Sequence, residues 1–456
     1  MDKNCPKVTD QNNSERRKKM TDITLEDIKD FSKKYNNNSV NKIIENAITN
    51  NGLENTMLNR EIIIENQPVF NIELPESTRY DQKASYKCWI YAGFNMIKYN
   101  MAENLNIDVK NLKLSSNYIS FFDRLEKANA LYNQIAELDN VSLEYLEERH
   151  ILDYAGEETG YWEFFKSLVL KYGLVPYEYM PDTEESINVD RITTVYTEKV
   201  LKDISKIIKL KEQMIEKEEL QSEVKKYLSE NYEILSKILG EPPKSFDYEY
   251  KDKQNNYHAY KNMTPMEFRD KFMNLYLEDF VNIGNVPKYN KKYDKIYTRE
   301  NYKNLEKSKL LNLPITYLKD FAIKQLKEGI PVYIGIYVRQ FRDKKSGVLD
   351  TRLFDYNGIL GIEPLTKEEG LSIGFDKRKM HHIMVITGVH VVDDKPIRWK
   401  VEDSYGDKEK KNGCYIMNDN YFDKYVYNVI VNKKYLSEEY TKLLDQQPIN
   451  YIDNAF

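Results

Sequence analysis

The stretch Tyr80-Asp-Gln-Lys-Ala-Ser-Tyr-Lys-Cys-Trp-Ile-Tyr-Ala-Gly-Phe-Asn95 decides how the rest of the chain is read. Gln82 stands six residues before Cys88, Trp89 follows at once, and a helix-like run begins there. Trp89, Ala92 and Met96 recur at i, i+3 and i+7, one face of a helix. Cys88 therefore reads as sitting where a loop enters a buried helix. Free backbone N–H groups at a helix start carry partial positive charge and favour a thiolate. The Gln82 amide can fold back beside the sulfur, and with the Cys88 N–H it would form an oxyanion hole. The competing reading is an inert cysteine behaving as a small buried hydrophobe. A nucleophile needs a base and an orienting group, so the remaining chain must supply both.

Composition narrows the classes. The chain has 456 residues, 41% hydrophobic and 31% charged, which reads as a soluble globular protein with ample core material. A net charge of −5 exerts no global pull on nucleic acid or anionic membrane, so neither is an expected partner. No apolar run reaches spanning length. The polar N-terminus lacks the apolar centre of a secretory signal, and a cytoplasmic location is expected. Cys5, Cys88 and Cys414 are too few and too scattered for a disulfide framework or a zinc site, and no cofactor is expected. The histidines are His150, His258, His381, His382 and His390, which makes the search for a base short.

Residues 1–19 read as a disordered leader, with Met20 as an alternative start, and 20–65 as a helical arm. In that arm Thr24 and Asp27 make a variant capping box, and Ile23 with Ile28 a hydrophobic staple. Glu61-Ile-Ile-Ile-Glu65 and Val69-Phe-Asn-Ile-Glu-Leu74 read as strands. Residues 66–195 form a helical lobe, with helices from Cys88 to about Leu105, from Ser115 to Leu138, and from Gly160 to Gly173. Residues 196–316 read as a helical insertion, beginning with a paired hairpin that ends at Gly240-Glu-Pro-Pro243. Residues 317–440 hold one helix and then short strands at 331–338, 382–390, 397–402, 413–417 and 424–431. Residues 441–456 form a C-terminal arm. A helical first half and a β-rich second half make the fold class α+β.

His381 and His382 open the second of those strands, and Trp399-Lys-Val-Glu-Asp-Ser-Tyr-Gly406 follows the turn after it. Adjacent strand residues point to opposite faces, so only one of the two histidines can serve the cysteine. Asp403 carries a carboxylate able to accept from an imidazole N–H.

These stretches, in this order, resemble the papain-like cysteine peptidases, in particular the bleomycin hydrolase / aminopeptidase C branch. Gln82-Lys-Ala-Ser-Tyr-Lys-Cys-Trp89 is similar to that branch's Gln-Lys-Ser-Ser-Gly-Arg-Cys-Trp, and His382-Ile-Met384 to its His-Ala-Met. Trp399 to Gly406 resembles its Trp-X-Val-Glu-Asn-Ser-Trp-Gly. The resemblance implies a papain-like fold: a helical lobe, an antiparallel β-barrel-like lobe and large helical insertions. It implies a cytoplasmic aminopeptidase that hydrolyses N-terminal residues from peptides. Cys88 would be the nucleophile, His382 the base with His381 in reserve, Asp403 the orienting group and Gln82 the oxyanion donor. Gly160 and Tyr161 match the segment that pairs with substrate backbone. Family members are homohexamers whose C-terminal arm enters the active-site cleft. Phe456 would then supply a carboxylate for the substrate's free amine. Three positions depart from the pattern: Tyr86 stands where glycine is usual, Asp403 for asparagine and Tyr405 for tryptophan. Tyr86 would narrow the pocket for the first substrate side chain. An endopeptidase on the same scaffold and a catalytically weakened binding barrel are the alternatives.

Overall fold

Strand β10, His382–Val392, lies at the centre of the molecule's main sheet and carries a histidine at its first position. The computed structural model describes residues 22–138, 146, 152, 155–286, 291–299, 308–373, 382–406 and 414–450. They fall into two compact units, one of residues 22–59 with 354–363, the other comprising the remaining described residues.

The smaller unit begins with helix α1, Leu25–Asn36, followed by α2, Ser39–Asn51. The expected capping box forms: Thr24 Oγ1 accepts from Asp27 N–H at 3.2 Å, and Asp27 Oδ2 accepts from Thr24 N–H at 2.8 Å. Neither helix buries a residue, and Ile23 and Ile28 both stand exposed.

The larger unit begins with α3, Arg60–Glu65. The isoleucine run expected to be a strand is therefore helical. Only Ile62 turns inward, and Asn66 closes the helix by donating to Ile62 O at 2.8 Å and to Asp350 Oδ2 at 3.0 Å. Three β-branched residues favour a strand locally, but this helix is set by its end contacts. Of the second expected strand, only β1, Ile72–Glu73, forms, paired with β10.

Helix α4, Cys88–Asn104, is buried on nearly every side rather than on one face. It packs between the sheet and helix α5, Ser116–Glu137, which Ser115 caps by accepting from Tyr118 N–H at 3.1 Å. Helix α6, Trp162–Tyr172, ends at Gly173 with φ +80°, where a Cβ would meet the Pro265 backbone at 2.3 Å. Helices α7, Asp190–Glu212, and α8, Lys217–Leu239, form the expected hairpin and both pack on α5.

Residues 196–316 are not helical throughout. Beyond Gly240 come a hairpin of β2, Phe246–Lys251, and β3, Tyr257–Met263, then β4, Phe280–Gly284, β5, Lys295–Arg299, and β6, Ser308–Asn312. The last three join the main sheet, because β4 pairs with β13, Val426–Asn432. The inserted segment thus closes one side of the sheet, which no local pattern announces.

Among the described residues the sheet continues from β13 to β7, Val332–Ile336, then β10, then β11, Lys395–Glu402, and β12, Tyr415–Asn418. These neighbours are antiparallel, and beyond β12 the sheet ends with the short strands β9, Val348–Leu349, and β8, Arg342–Asp343. The Asp419–Tyr425 helix, capped by Asn418, replaces the start of the strand expected at 424. No helix among the described residues is long and apolar enough to cross a membrane.

Candidate active site

Cys88 is the first residue of α4, as expected from the sequence. Lys87 at the helix cap offers no side-chain acceptor to the first turn, so those N–H groups stay turned toward the sulfur. Burial pushes the Cys88 thiol up to about 11, against the backbone N–H groups of Ile383, Trp89 and Cys88 itself, which pull it down. The Ile383 contact places the sulfur beside the residue that follows His382. A thiol this reluctant to ionise alone needs a base next to it.

The loop before Cys88 is held from two sides. On one side Ala84 N–H donates to Ile187 O at 3.1 Å, and the buried Lys87 ammonium donates to Ser186 O at 2.9 Å. On the other side the chain bridges to the segment after β11: Asp81 pairs with Tyr405, and Gly406 N–H donates to Tyr80 O at 3.0 Å. Gln82 N–H donates to Ser404 O at 2.6 Å, and Ser404 Oγ donates to Gln82 Oε1 at 2.9 Å. With its oxygen occupied by that hydroxyl, the Gln82 amide presents its nitrogen to the site, where it reaches the Tyr405 hydroxyl.

His382 and Asp403 are both buried, on β10 and just past β11. The Tyr405 ring stacks on the His382 imidazole at 5.6 Å between centroids, and Tyr405 N–H donates to Asp403 Oδ1 at 3.2 Å. Tyr405, standing where the resembled pattern has tryptophan, thus covers one face of the imidazole. Burial, foremost, raises its phenol pKa, and the charges of Cys88 and Asp403 add to that. Cys88, Gln82, His382, Asp403 and Tyr405 are therefore gathered at one place.

Gly160 lies flat on Trp89: an added Cβ would stand 2.5 Å from the indole ring. Tyr161 is half-buried at the start of α6. Tyr86 is 58% exposed and has φ +54°, a backbone region that costs a side-chain-bearing residue energy and explains why glycine suits this place. His381 and Phe456, with the rest of the tail beyond Asn450, lie outside the described residues.

Sequence reasoning missed what lies beneath the sulfur. Tyr333 on β7 is fully buried, and burial raises its phenol well above the ordinary range, with Cys88 and Glu163 adding to the shift. Glu163 accepts from Asn282 Nδ2 at 3.2 Å, and Asn282 Oδ1 accepts from Asn428 Nδ2 at 2.8 Å. These residues come from α6, β4, β7 and β13, and nothing in their local sequence links them. Register does: Asn428 sits opposite both Gly284 and Gly335, and Gly335 opposite Ile383. Among the described residues no cluster of histidine, cysteine and carboxylate side chains could hold a metal ion.

Comparison with known proteins follows the same lines. Aminopeptidase G of Lactobacillus delbrueckii subsp. lactis is 33% identical over 432 residues, covering 94% of this chain and 97% of the relative. Aminopeptidase C of Listeria monocytogenes is 31% identical over 433 residues, covering 94% and 97%. The crystal structure of PepW from Lactobacillus rhamnosis superposes with a TM-score of 0.86 at 34% identity, covering 93% of this chain and 95% of that one. The Peptidase C1-like family matches residues 22–453. The chain, with its cysteine at a helix start and its histidine at a strand start, belongs to that family.

Proposed function

We propose that this protein is a cysteine aminopeptidase that removes N-terminal residues from peptides. The observation that supports the reading is the Ile383 N–H on the Cys88 sulfur, one residue along the strand from His382. The names of the relatives, aminopeptidases C, E, G and W, support the exopeptidase part.

Cys88 gives up its proton to His382 and attacks the first peptide carbonyl. The carbonyl oxygen takes the developing charge toward the Gln82 side-chain amide and the Cys88 N–H. His382 returns the proton to the departing amine as the C–N bond breaks, leaving an acyl-thioester on Cys88. Water, deprotonated by His382, hydrolyses the thioester and restores the thiol. Asp403 orients the imidazole, and Tyr405 keeps water from that contact. Gly160 and Tyr161 flank the peptide, and Tyr86 shapes the entrance for the first side chain.

The same reading takes the two halves as papain-like lobes with a helical insertion and a barrel-like sheet, in a cytoplasmic homohexamer. The uncovered apolar residues of the smaller unit, Leu25, Ile28, Phe31 and Ile43, suit such subunit packing. The Phe456 carboxylate would hold the substrate's ammonium. Turnover of one peptide with a free and with an acetylated N-terminus tests this, using the full chain and a chain lacking its last four residues. Free-amine selectivity that is lost on truncation is expected; equal cleavage of both peptides by the full chain identifies an endopeptidase instead.

A further inference from the structure

Glu402 is a buried carboxylate one residue before Asp403, and the reaction scheme above gives it no task. It sits at the end of β11, across from Val385 of β10. Its Oε1 accepts from Thr387 Oγ1 at 3.2 Å, and its Oε2 accepts from Ser77 Oγ at 3.4 Å. Thr387 lies five residues along the strand that begins with His382.

The residue next to Ser77, Thr78, is held by Lys98, which is fully buried on α4 ten residues after Cys88. The Lys98 ammonium donates to Thr78 O at 2.9 Å and lies 5.2 Å from the centre of the Tyr80 ring. Burial lowers the Lys98 pKa to about 8; Glu402 opposes that drop and Arg79 adds to it. The Tyr80 carbonyl accepts from Gly406 N–H, so the ring beside the ammonium belongs to a residue of the bridge that carries Gln82.

We propose that Glu402 and Lys98 are positioning residues for catalysis: together they lock the nucleophile's helix to the strands that carry the base and its orienting group. A helix rises ~1.5 Å per residue, so Lys98 grips α4 roughly 15 Å below Cys88. With the Ile383 contact at the sulfur, the helix is pinned at two well-separated points and cannot pivot. Buried charged groups are on average no better for stability than apolar groups of the same shape. Their use here serves geometry: through Thr78, Ser77 and Thr387 they join the three elements that carry Cys88, His382 and Asp403. Small misplacement of reacting groups costs rate steeply, on the order of 10²-fold for ~1 Å.

The inference rests on the Cys88–His382 reading. Cys88→Ala is the control that separates the two: retained turnover there removes the triad itself. With the triad established, Glu402→Gln is expected to lower kcat about tenfold or more while KM stays within about twofold. The acid limb of Cys88 alkylation by iodoacetamide should move toward higher pH, a shift that a merely structural role would not produce. Where the single variant strands Lys98 and fails to fold, Glu402→Gln with Lys98→Met removes both buried charges, and the same losses are expected. Wild-type kcat with an unmoved alkylation limb, in either variant, overturns the proposal.

Discussion

The Tyr405 ring lies over the His382 imidazole, 5.6 Å between centroids and 28° from parallel. An aromatic pair of this kind contributes ~0.5–1.5 kcal/mol beyond its buried area. Tyr405→Ala should therefore lower kcat by about two- to tenfold, by the usual ~1.4 kcal/mol per decade of rate. Tyr405→Trp should match or exceed the wild-type rate, since it covers more of the ring. Steady-state kinetics on one free-amine peptide decides it; an alanine variant with unchanged kcat would falsify the shielding role.

Burial holds the Cys88 thiol up at about 11. Removing the imidazole in His382→Ala should leave Cys88 unreactive toward iodoacetamide at neutral pH, with labelling appearing only as pH climbs toward that value. The wild-type enzyme should label at neutral pH through the ion pair. The stability sign follows from the raised value. The folded state favours the protonated thiol, so in His382→Ala this contribution is complete below the ordinary thiol range and lost as pH rises through about 11. Identical labelling profiles for the two proteins would rule out the pairing.

Gly160 has no room for a methyl group, because the nearest atoms of the fully buried Trp89 ring would be 2.5 Å away. Gly160→Ala must displace either the ring or the 157–160 segment, which Lys127 holds through Glu157 O at 3.1 Å and Thr159 O. Overpacking of this kind costs ~1–3 kcal/mol. A lowered Tm with a raised KM is the expected pair of results; an unaltered KM would show that Gly160 does not border the peptide.

Tyr86 carries an exposed side chain on a left-handed backbone. Tyr86→Gly removes a conformational penalty of ~1–2 kcal/mol, partly offset by the freer unfolded chain of glycine, ~0.5–1 kcal/mol. The Tm should hold or rise. A panel of peptides differing only in the first residue should show kcat/KM improving most for the bulkiest. A uniform change across the panel would mean that Tyr86 does not shape selectivity.

Much of the site was legible in the sequence because its parts are local. Cys88 announces a helix start, Gln82 lies within one loop of it, and Asp403, Ser404 and Tyr405 sit in a single turn after a strand. The capping box at Thr24 and the glycine stop at Gly173 are likewise short-range chemistry, and they formed where their residues stood. The isoleucine run at 62–64 misled for the opposite reason: intrinsic strand preference there was outweighed by Asn66, which reaches Asp350 from far along the chain.

The sequence by itself determined which residue types were available and in what order: one cysteine at a helix entry, two adjacent histidines at a strand start, one carboxylate beyond the next strand. Tertiary structure decided what stands next to what. Strand register put Ile383 against the sulfur, laid Asn428 and Asn282 beside Glu163, and joined residues 280–312 to the main sheet. It also brought Lys98 and Glu402, 304 residues apart in the chain, to the adjacent residues Thr78 and Ser77. Such contacts follow from sheet pairing and helix packing between distant segments, and the local periodicity of the chain carries no record of them.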